Sequence, residues 1–327
     1  MALSLCSTKS LLFLFLISAI PIAFIISLEL AKPATHVFHY HSSGFLRESA
    51  KWDDLNRRFI VSFMDSGVGE IRVPDDYSQD TVLQEVTVVK EADLAGNSTL
   101  GIVIDRPRNR LLAVVADVLR NKYNALAAYD LSTWERLFLT QLGGPSDEKS
   151  FADDVAVDAE GNAYVTDAKA SKIWKVGKDG QFLSIIRNPL FIEKQWYKNL
   201  IGLNGIVYHP NGFLIVIHTI TGNLFKVDLT KGGEVKLIKV DGGSLLFGDG
   251  LELLSPTTLV VAGNPSGRLV ESSDDWETAT LVAKFVGPVH RLSTAATVKD
   301  GKAYLSHLVG MGYPKKKHAI VEAVFSA

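Results

Sequence analysis

One pattern recurs six times between residues 44 and 327, and it limits the fold more than any other feature of the sequence. In each copy an apolar residue enters a short β-rich run, and a turn rich in Gly, Asp, Asn or Pro follows. The copies are "ESAKWDDLNRRFIVSF", "LGIVIDRPRNRLLAVV", "DDVAVDAEGNAYVTD", "NGIVYHPNGFLIVIH", "DGLELLSPTTLVVAG" and "STAATVKDGKAYLSH". Aligned on one apolar position, they are separated by 52, 53, 51, 45 and 45 residues; that position is Trp52, Ile104, Val157, Tyr208, Leu253 and Val298.

Repeats of this length in strand-rich sequence are typical of β-propeller blades, each of which is a four-stranded sheet. The sequence therefore predicts an all-β fold, a six-bladed β-propeller over residues 36–327. A propeller must also close its ring, because an unpaired sheet edge is avoided in native proteins. We expect the strand pattern "AIVEAVF" (319–325) to share a sheet with residues 36–43, next to the repeat that contains Val298.

A second regularity lies four residues before each aligned apolar position. In a propeller the first strand of each blade is innermost, so equivalent positions meet at one depth of the central channel. Four of the six positions carry a carboxylate or carboxamide oxygen; the six are Glu48, Leu100, Asp153, Asn204, Asp249 and Thr294. Three carboxylates that face each other across a narrow channel repel unless they are protonated or neutralised.

A hard divalent cation would remove this repulsion, since Ca²⁺ takes carboxylate and amide oxygens as ligands. The predicted metal ligands are Glu48, Asp153, Asn204 and Asp249, and the predicted cofactor is a divalent metal of the Ca²⁺ type. The alternative is that the Asn-Gly and Asp-Gly pairs are turns entering strands, with all four side chains solvated near a loop. Four such residues in one register favour the metal interpretation.

Three short motifs give the chain a resemblance to a known family. "RESAKWD" (47–53), "LNGI" and "GDGL" resemble motifs of the senescence-marker-protein/gluconolactonase family, the regucalcin-like propellers of the calcium-dependent phosphotriesterase superfamily. The resemblance covers about residues 44–306. It implies that Glu48, Asn204 and Asp249 bind a divalent metal at the channel mouth, and that Asp249 also takes part in proton transfer.

The same comparison shows where this chain departs from the family. "DDVAVD" (153–158) stands where the family has Asn-Asp-Gly-x-Val-Asp, so Asp153 replaces an Asn on the substrate side while Asp154 is kept. Phe151 replaces an Arg that the lactonases carry two residues before that Asn. The resemblance therefore implies an intact metal site beside an altered sugar-lactone site.

The function predicted on these grounds is metal-dependent hydrolysis of a lactone, ester or related small molecule at the channel mouth. The metal would polarise the carbonyl and activate water, and Asp249 or Asp153 would take the proton. A non-catalytic, metal-stabilised binding propeller is the alternative, and a strictosidine-synthase-like enzyme ranks below both. The sequence has no H-E-x-x-H, G-x-S-x-G or P-loop pattern that would suggest another chemistry.

The histidines and aromatic residues add weaker candidates. His290 lies four residues before Thr294 and is the histidine best placed for proton transfer, whereas His218 and His307 are predicted to be structural. Trp196 and Tyr197 precede Asn204, and the sequence leaves open whether they wall a substrate pocket or pack beneath a loop.

The N-terminus predicts entry into the secretory pathway. "LLFLFLISAIPIAFIISL" (11–28) is uncharged and long enough to span a bilayer, so residues 1–31 form a signal peptide or a signal anchor. Either one sends the rest of the chain to the lumen or the extracellular side, and "NST" at 97–99 is a glycosylation sequon that suits this compartment. The formal net charge is −2 with dispersed basic residues, which argues against a nucleic-acid partner. We expect a monomer that binds a small molecule and meets the membrane only through an uncleaved N-terminal segment.

Overall fold

The computed structural model describes residues 8–143, 148–265 and 267–326. The chain divides into two compact units, residues 1–34 and residues 35–327. The described part of the first unit is one helix, α1 (Thr8–Leu30), with Pro21 inside it and no buried residue. Its mean hydropathy reaches 2.8, so the helix is long and apolar enough to cross a membrane, a property that signal sequences share.

The regular secondary structure of the second unit is almost all β-strand. Its first twelve strands are β1 (Val37–Ser42), β2 (Arg47–Asp53), β3 (Arg58–Phe63), β4 (Val68–Arg72), β5 (Leu83–Val89), β6 (Ser98–Asp105), β7 (Arg110–Ala116), β8 (Asn124–Asp130), β9 (Arg136–Gln141), β10 (Ala152–Val157), β11 (Ala163–Asp167) and β12 (Lys172–Val176). The next twelve are β13 (Phe182–Ile186), β14 (Leu203–His209), β15 (Phe213–His218), β16 (Asn223–Asp228), β17 (Glu234–Asp241), β18 (Gly248–Ser255), β19 (Thr258–Gly263), β20 (Gly267–Glu271), β21 (Thr278–Phe285), β22 (Ser293–Lys299), β23 (Lys302–His307) and β24 (Lys316–Glu322).

Short 3₁₀ helices lie in the connections between these strands. They span Ala92–Leu94, Arg106–Arg108, Pro189–Phe191, Trp196–Asn199, Leu229–Lys231 and Val289–Arg291.

The strands form antiparallel runs of four in sequence order. Two runs stand as separate sheets, β6-β7-β8-β9 and β10-β11-β12-β13. The other strands form two eight-stranded sheets, β2-β3-β4-β5-β1-β24-β23-β22 and β14-β15-β16-β17-β21-β20-β19-β18. Each larger sheet is two antiparallel runs joined by a short parallel contact, β5 with β1 and β17 with β21.

The hydrophobic core lies between neighbouring runs. Second strands such as β7 and β15 are buried along their whole length, which explains the unbroken apolar stretches "LLAVVA" and "FLIVI". Side chains from adjacent runs share one cluster, for example Leu112, Val165 and Trp174. Fourth strands such as β13 are more exposed than the second strands.

The predicted closure of the chain is confirmed. β1 pairs antiparallel with β24 from Val37–Val321 to Ser42–Lys316, in the same sheet as β22, which contains Val298. The C-terminal strand ends at Glu322, three residues earlier than the sequence pattern, and β1 also has a short parallel contact with β5. The two ends of the unit are therefore joined within one sheet.

Buried ion pairs fix the turns between first and second strands. Asp53 ends β2 and accepts hydrogen bonds from Arg58, which begins β3, at 2.9 Å and from Arg106 of the following run at 2.5 Å. Arg58 also donates to Glu70 at 2.6 Å. Burial alone would raise the pKa of Asp53, but the bonds from Asn56, Arg58 and Arg106 outweigh it and keep that pKa below its usual value.

Candidate functional site

A β-bulge interrupts each first strand at the predicted ligand position. In all six runs the pairing of the first strand with the second shifts register, at Arg47/Ala50, Thr99/Ile102, Ala152/Val155, Leu203/Ile206, Gly248/Leu251 and Ser293/Ala295. A bulge leaves one residue out of the ladder and turns its side chain in a new direction. The repeated bulge therefore gives one position in every run a shared orientation.

The six side chains at these bulges line one cavity of about 390 Å³. They are the six residues of the sequence register: Glu48, Leu100, Asp153, Asn204, Asp249 and Thr294. The remaining wall is mainly apolar and includes Met64, Val118, Phe151, Leu200, Ile201 and Leu308. The structure thus brings the four predicted oxygen ligands together, beside Phe151 and among apolar side chains.

Like charges dominate the surroundings of the carboxylates in this cavity. Burial raises the pKa of Glu48 well above its usual value, and repulsion from Asp153 and Asp249 adds to the shift. Burial likewise raises the pKa of Asp153 well above its usual value, with Asp249 as the strongest repelling neighbour. The Oε2 atom of Glu48 is buried and has no hydrogen-bond partner among the described residues.

Asp249 is better accommodated than the other two acids. Burial raises its pKa to about 7, while hydrogen bonds from the Asn204 side chain and the Gly250 backbone limit the rise. The backbone carbonyl of Asn204 accepts a hydrogen bond from the Thr166 hydroxyl at 2.7 Å. Near neutral pH, Asp249 is the acid in this cavity that can exchange a proton most readily.

The glycines beside the ligand positions allow the first strands to approach each other. A Cβ atom at Gly205 would collide with the backbone carbonyl of Asp249, and a Cβ at Gly250 would lie 2.7 Å from the carbonyl of Thr294. The Asn-Gly and Asp-Gly pairs are thus not hairpin turns, since both lie inside strands β14 and β18. Glycine follows the ligand residue because the backbone of the neighbouring first strand occupies the space of a side chain.

A second acidic residue, Asp154, was not predicted to belong to the site. Its carboxylate accepts hydrogen bonds from the amides of Val155 at 2.8 Å and Ile206 at 3.3 Å. Burial raises its pKa to about 6, and Lys51 limits the rise. Lys51 in turn donates to Glu252 at 2.5 Å. The Asp-Asp pair in the sequence signalled this role, because consecutive residues at a bulge can both face inward.

The structure does not place His290 in this cavity. It lies in the 3₁₀ helix Val289–Arg291, beside His307, and is not among the described residues that line the cavity. The next residue, Arg291, is buried and donates to the carbonyls of Val309 and Lys317, which fixes this turn away from the carboxylates. The predicted role of His290 in proton transfer therefore has no support from its position.

His218 and His307 have the features of structural histidines, as expected. Both are buried, and neither is among the described residues that line the cavity. Burial lowers the pKa of each, to about 3 for His307, so both remain neutral at physiological pH.

The donor set fits a hard divalent cation in kind, but the donors stand apart. The donors are one amide and three carboxylates, and one of these is Glu48 with its unpartnered oxygen; all are ligands that Ca²⁺ accepts. Within residues 8–143, 148–265 and 267–326, however, no three His, Cys, Asp or Glu side chains are placed to hold one ion together. The carboxylates line the cavity without meeting at a point, so a cation would require these side chains to move.

No known protein family matches the chain, and no curated protein matches it. Solved structures do. The Mala s 1 allergen of Malassezia sympodialis matches with a TM-score of 0.69 and 16% identity, over 90% of this chain and 97% of that one.

Two further neighbours are more distant. A streptogramin B lyase matches with a TM-score of 0.55 and 8% identity, over 89% and 98% of the two chains. The WD40 repeats of RRP9 match with a TM-score of 0.59 and 8% identity, over 90% and 99%. These neighbours are β-propeller proteins, and at such low identity the likeness establishes the fold alone.

Proposed function

We propose that residues 35–327 form a six-bladed β-propeller whose channel mouth binds a divalent cation of the Ca²⁺ type and hydrolyses a small ester or lactone. The four-stranded runs would be the blades, with β22, β23, β24 and β1 as the last. One observation carries the proposal: the buried oxygen of Glu48 shares a cavity with Asp153 and Asp249 and has no hydrogen-bond partner among the described residues. Such an arrangement is costly unless it serves binding or catalysis.

The surroundings of each residue in the cavity determine its proposed role. A bound divalent cation would polarise a substrate carbonyl and activate water. Asp249, whose pKa is about 7, accepts a proton near neutral pH, and the Asn204 amide orients its carboxylate. Glu48 and Asp153 would supply further oxygen ligands to that cation in the same cavity. The apolar side chains of Phe151 and Leu100 lower the local polarity of the cavity and strengthen these interactions.

A binding propeller without turnover is the second candidate, and two observations favour it. Among the residues that the structure describes, the acidic side chains are not spaced to hold one ion together. Phe151, which stands where the resemblance implies an Arg, contributes an apolar surface to the cavity. In this alternative the cation stabilises the channel and the cavity retains a small molecule unchanged.

A hydrolysis screen of the full-length protein separates the two candidates. Aryl esters and lactones are offered with Ca²⁺, with EDTA, and to the variants Glu48→Gln and Asp249→Asn. Asp54→Asn is the matched control, because this aspartate is exposed and lies outside the cavity. Ca²⁺-dependent hydrolysis that both cavity variants lose, and the control keeps, supports the hydrolase. Ca²⁺-dependent stabilisation without hydrolysis of any ester or lactone supports the binding propeller.

We place the propeller on the lumenal or extracellular side of a membrane. Helix α1 is uncharged between residues 11 and 28 and carries Lys9 in its first turn, which favours a cytoplasmic N-terminus. Asn97, in the sequon 97–99, is half-buried and lies just after the 3₁₀ helix Ala92–Leu94. A glycan at Asn97 in protein from a secretory host would support this location, and the variant Asn97→Gln would remove the mass shift.

A further inference from the structure

The connection between β13 and β14, residues 187–202, carries an exposed apolar surface next to the cavity. Large side chains along it face solvent, and the most exposed is Trp196 at 76%. Leu200 and Ile201 are 51% and 43% exposed, yet both also line the cavity. Contiguous exposed apolar surface of this kind marks a binding site more often than a neutral surface. We call the apolar side chains of residues 196–201 the apolar shelf.

The apolar shelf is held in place by polar contacts beneath it. The Asn199 side chain donates to the carbonyl of Glu193 and accepts from its amide, each at 2.8 Å. Phe191 is fully buried and packs against Phe225, with ring centroids 5.2 Å apart. Hydrogen bonds of Asn199 and the buried ring of Phe191 therefore fix the segment, while the side chains of the apolar shelf remain exposed.

Backbone hydrogen bonds extend the surface to the next connection. The amide of Thr219 donates to Gly202 at 2.9 Å, and the amide of Phe247 donates to Thr219 at 2.8 Å. Phe247 is exposed and has a φ of +57°, a conformation that large side chains rarely adopt. Two residues later Asp249 lines the cavity. Exposed apolar side chains therefore lie on two connections, the one between β13 and β14 and the one between β17 and β18, and the second leads directly to Asp249.

We infer that the ligand of this cavity is an amphiphile, with a neutral polar end at the carboxylates and an alkyl or acyl chain on the apolar shelf. Leu200 and Ile201 carry this inference, because they belong both to the cavity wall and to the exposed surface. Among the described residues that line the cavity, Lys169 is the one basic side chain, so an anionic end would meet mainly acids. The inference rests on the proposed function for the position of the polar end.

The test uses the full-length protein in lipid nanodiscs and γ-lactones whose alkyl chains grow one methylene at a time. Each methylene that leaves water strengthens binding about fourfold. We expect this gain in the wild type and its loss in the double variant Leu200→Ser/Ile201→Ser. Leu55→Ser is the matched control, because Leu55 is 72% exposed in the turn after β2, at the far end of that strand from Glu48.

Trp196 supplies a second measurement that does not depend on turnover. It is the most exposed of the five tryptophans, so a chain lying on the apolar shelf shifts its emission to shorter wavelength. Trp196→Phe should lose the shift and keep the dependence on chain length. Equal affinity for short and long chains in the wild type overturns the inference, as does an unchanged gain in the double variant. Trp196 that is shielded from a soluble quencher before ligand is added also overturns it, because the bilayer would then cover the shelf.

The outcomes separate this inference from the proposed function. A gain with chain length that depends on Leu200 and Ile201, without hydrolysis or any effect of Ca²⁺, supports the apolar shelf and refutes the hydrolase. Ca²⁺-dependent hydrolysis with no preference for chain length does the reverse.

Discussion

The acids at the two ends of strand β2 have opposite surroundings. At the end of β2, Asp53 is fully buried and receives hydrogen bonds from Arg58, Arg106 and Asn56. At the start of the same strand, Glu48 is surrounded by other acids and keeps one oxygen without a hydrogen-bond partner among the described residues. The pKa of Asp53 is lowered and that of Glu48 is raised, although the two residues lie on one strand.

This difference indicates that Asp53 stabilises the fold and that Glu48 destabilises it. A buried carboxylate that is paired holds its neighbours, whereas one that faces like charges costs free energy. We call the end of the first strands that holds Asp53 the paired end, and the end that holds Glu48 and the other acids of the cavity the unpaired end. The paired end stabilises the fold, and the unpaired end is a place where a cation or a polar ligand would bind. The predictions below test this contrast from the largest expected effect to the smallest.

Removal of a cation from the paired end should be severely destabilising. Arg58→Met leaves Glu70 and Asp53 with one cationic partner fewer each, and loss of a partner from a buried pair costs about 3–5 kcal/mol. Urea denaturation of the full-length protein measures the loss. Glu48→Gln serves as the comparison at the other end and should not destabilise the metal-free protein. A change below about 1 kcal/mol in Arg58→Met would contradict the assigned role.

The unpaired end should make the metal-free protein less stable as the pH rises. The folded protein holds a proton on Asp249 up to a pKa of about 7, while the unfolded chain releases it near 3.8. The penalty is absent below the unfolded pKa and complete above pH 7. Because a tenfold difference in proton affinity corresponds to about 1.4 kcal/mol, we expect the shift at Asp249 to lower the free energy of unfolding by about 4 kcal/mol across this range.

Asp53 at the other end has the opposite pH dependence. Its pKa is lowered, so its stabilising contribution is lost only as the pH falls below the usual aspartate range. Denaturation curves in EDTA at several pH values measure the sum, and Asp249→Asn should flatten the fall toward neutral pH. A wild-type stability that rises from pH 5 to pH 7 would refute an unpaired acidic cavity.

A divalent cation should relieve the unpaired end. At a free concentration one hundred times the dissociation constant, binding to the folded state alone stabilises it by about 2.7 kcal/mol. Thermal melting with Ca²⁺ and with EDTA measures the gain, which Glu48→Gln should reduce and the exposed control Asp54→Asn should retain. Identical melting curves in the two solutions would rule the cation out.

The smallest effect concerns Asp153, which stands where the resemblance implies an Asn. Asp153→Asn removes one charge while it keeps the shape of the side chain, so we expect Ca²⁺ affinity to fall about tenfold, or about 1.4 kcal/mol. A metal titration at neutral pH measures the change beside wild type. Unchanged or tighter affinity would show that Asp153 does not act as an ionised member of the site.

The repeat in the sequence was enough to predict which residues share the cavity. Spacing alone aligned Glu48, Asp153, Asn204 and Asp249, and all four line it. Their convergence depends on local geometry that recurs in every copy, which is why a periodic signal captures it. Closure by the N-terminal strand followed from the need to pair an edge, and β1 meets that need.

Contacts between different copies were less predictable. Lys51 of β2 limits the rise in the pKa of Asp154 of β10, and nothing in either repeat alone specifies that these two residues come near each other. The position of His290 outside the cavity lining follows from its neighbour Arg291, whose hydrogen-bond partners lie in β24 and after β23. The exposure of Trp196 depends on how residues 187–202 fold back, which a non-repeating segment does not reveal.

The pairing of β1 with β24 also sets the order of events during synthesis. His39 and His318 meet across this pairing and are 279 positions apart in the chain. At a typical 5–20 residues per second, the N-terminal strand waits roughly fifteen to sixty seconds for its partner to emerge. During that time an edge of the growing sheet has nothing beside it, so chaperone attendance on the nascent chain should last until the final residues leave the ribosome.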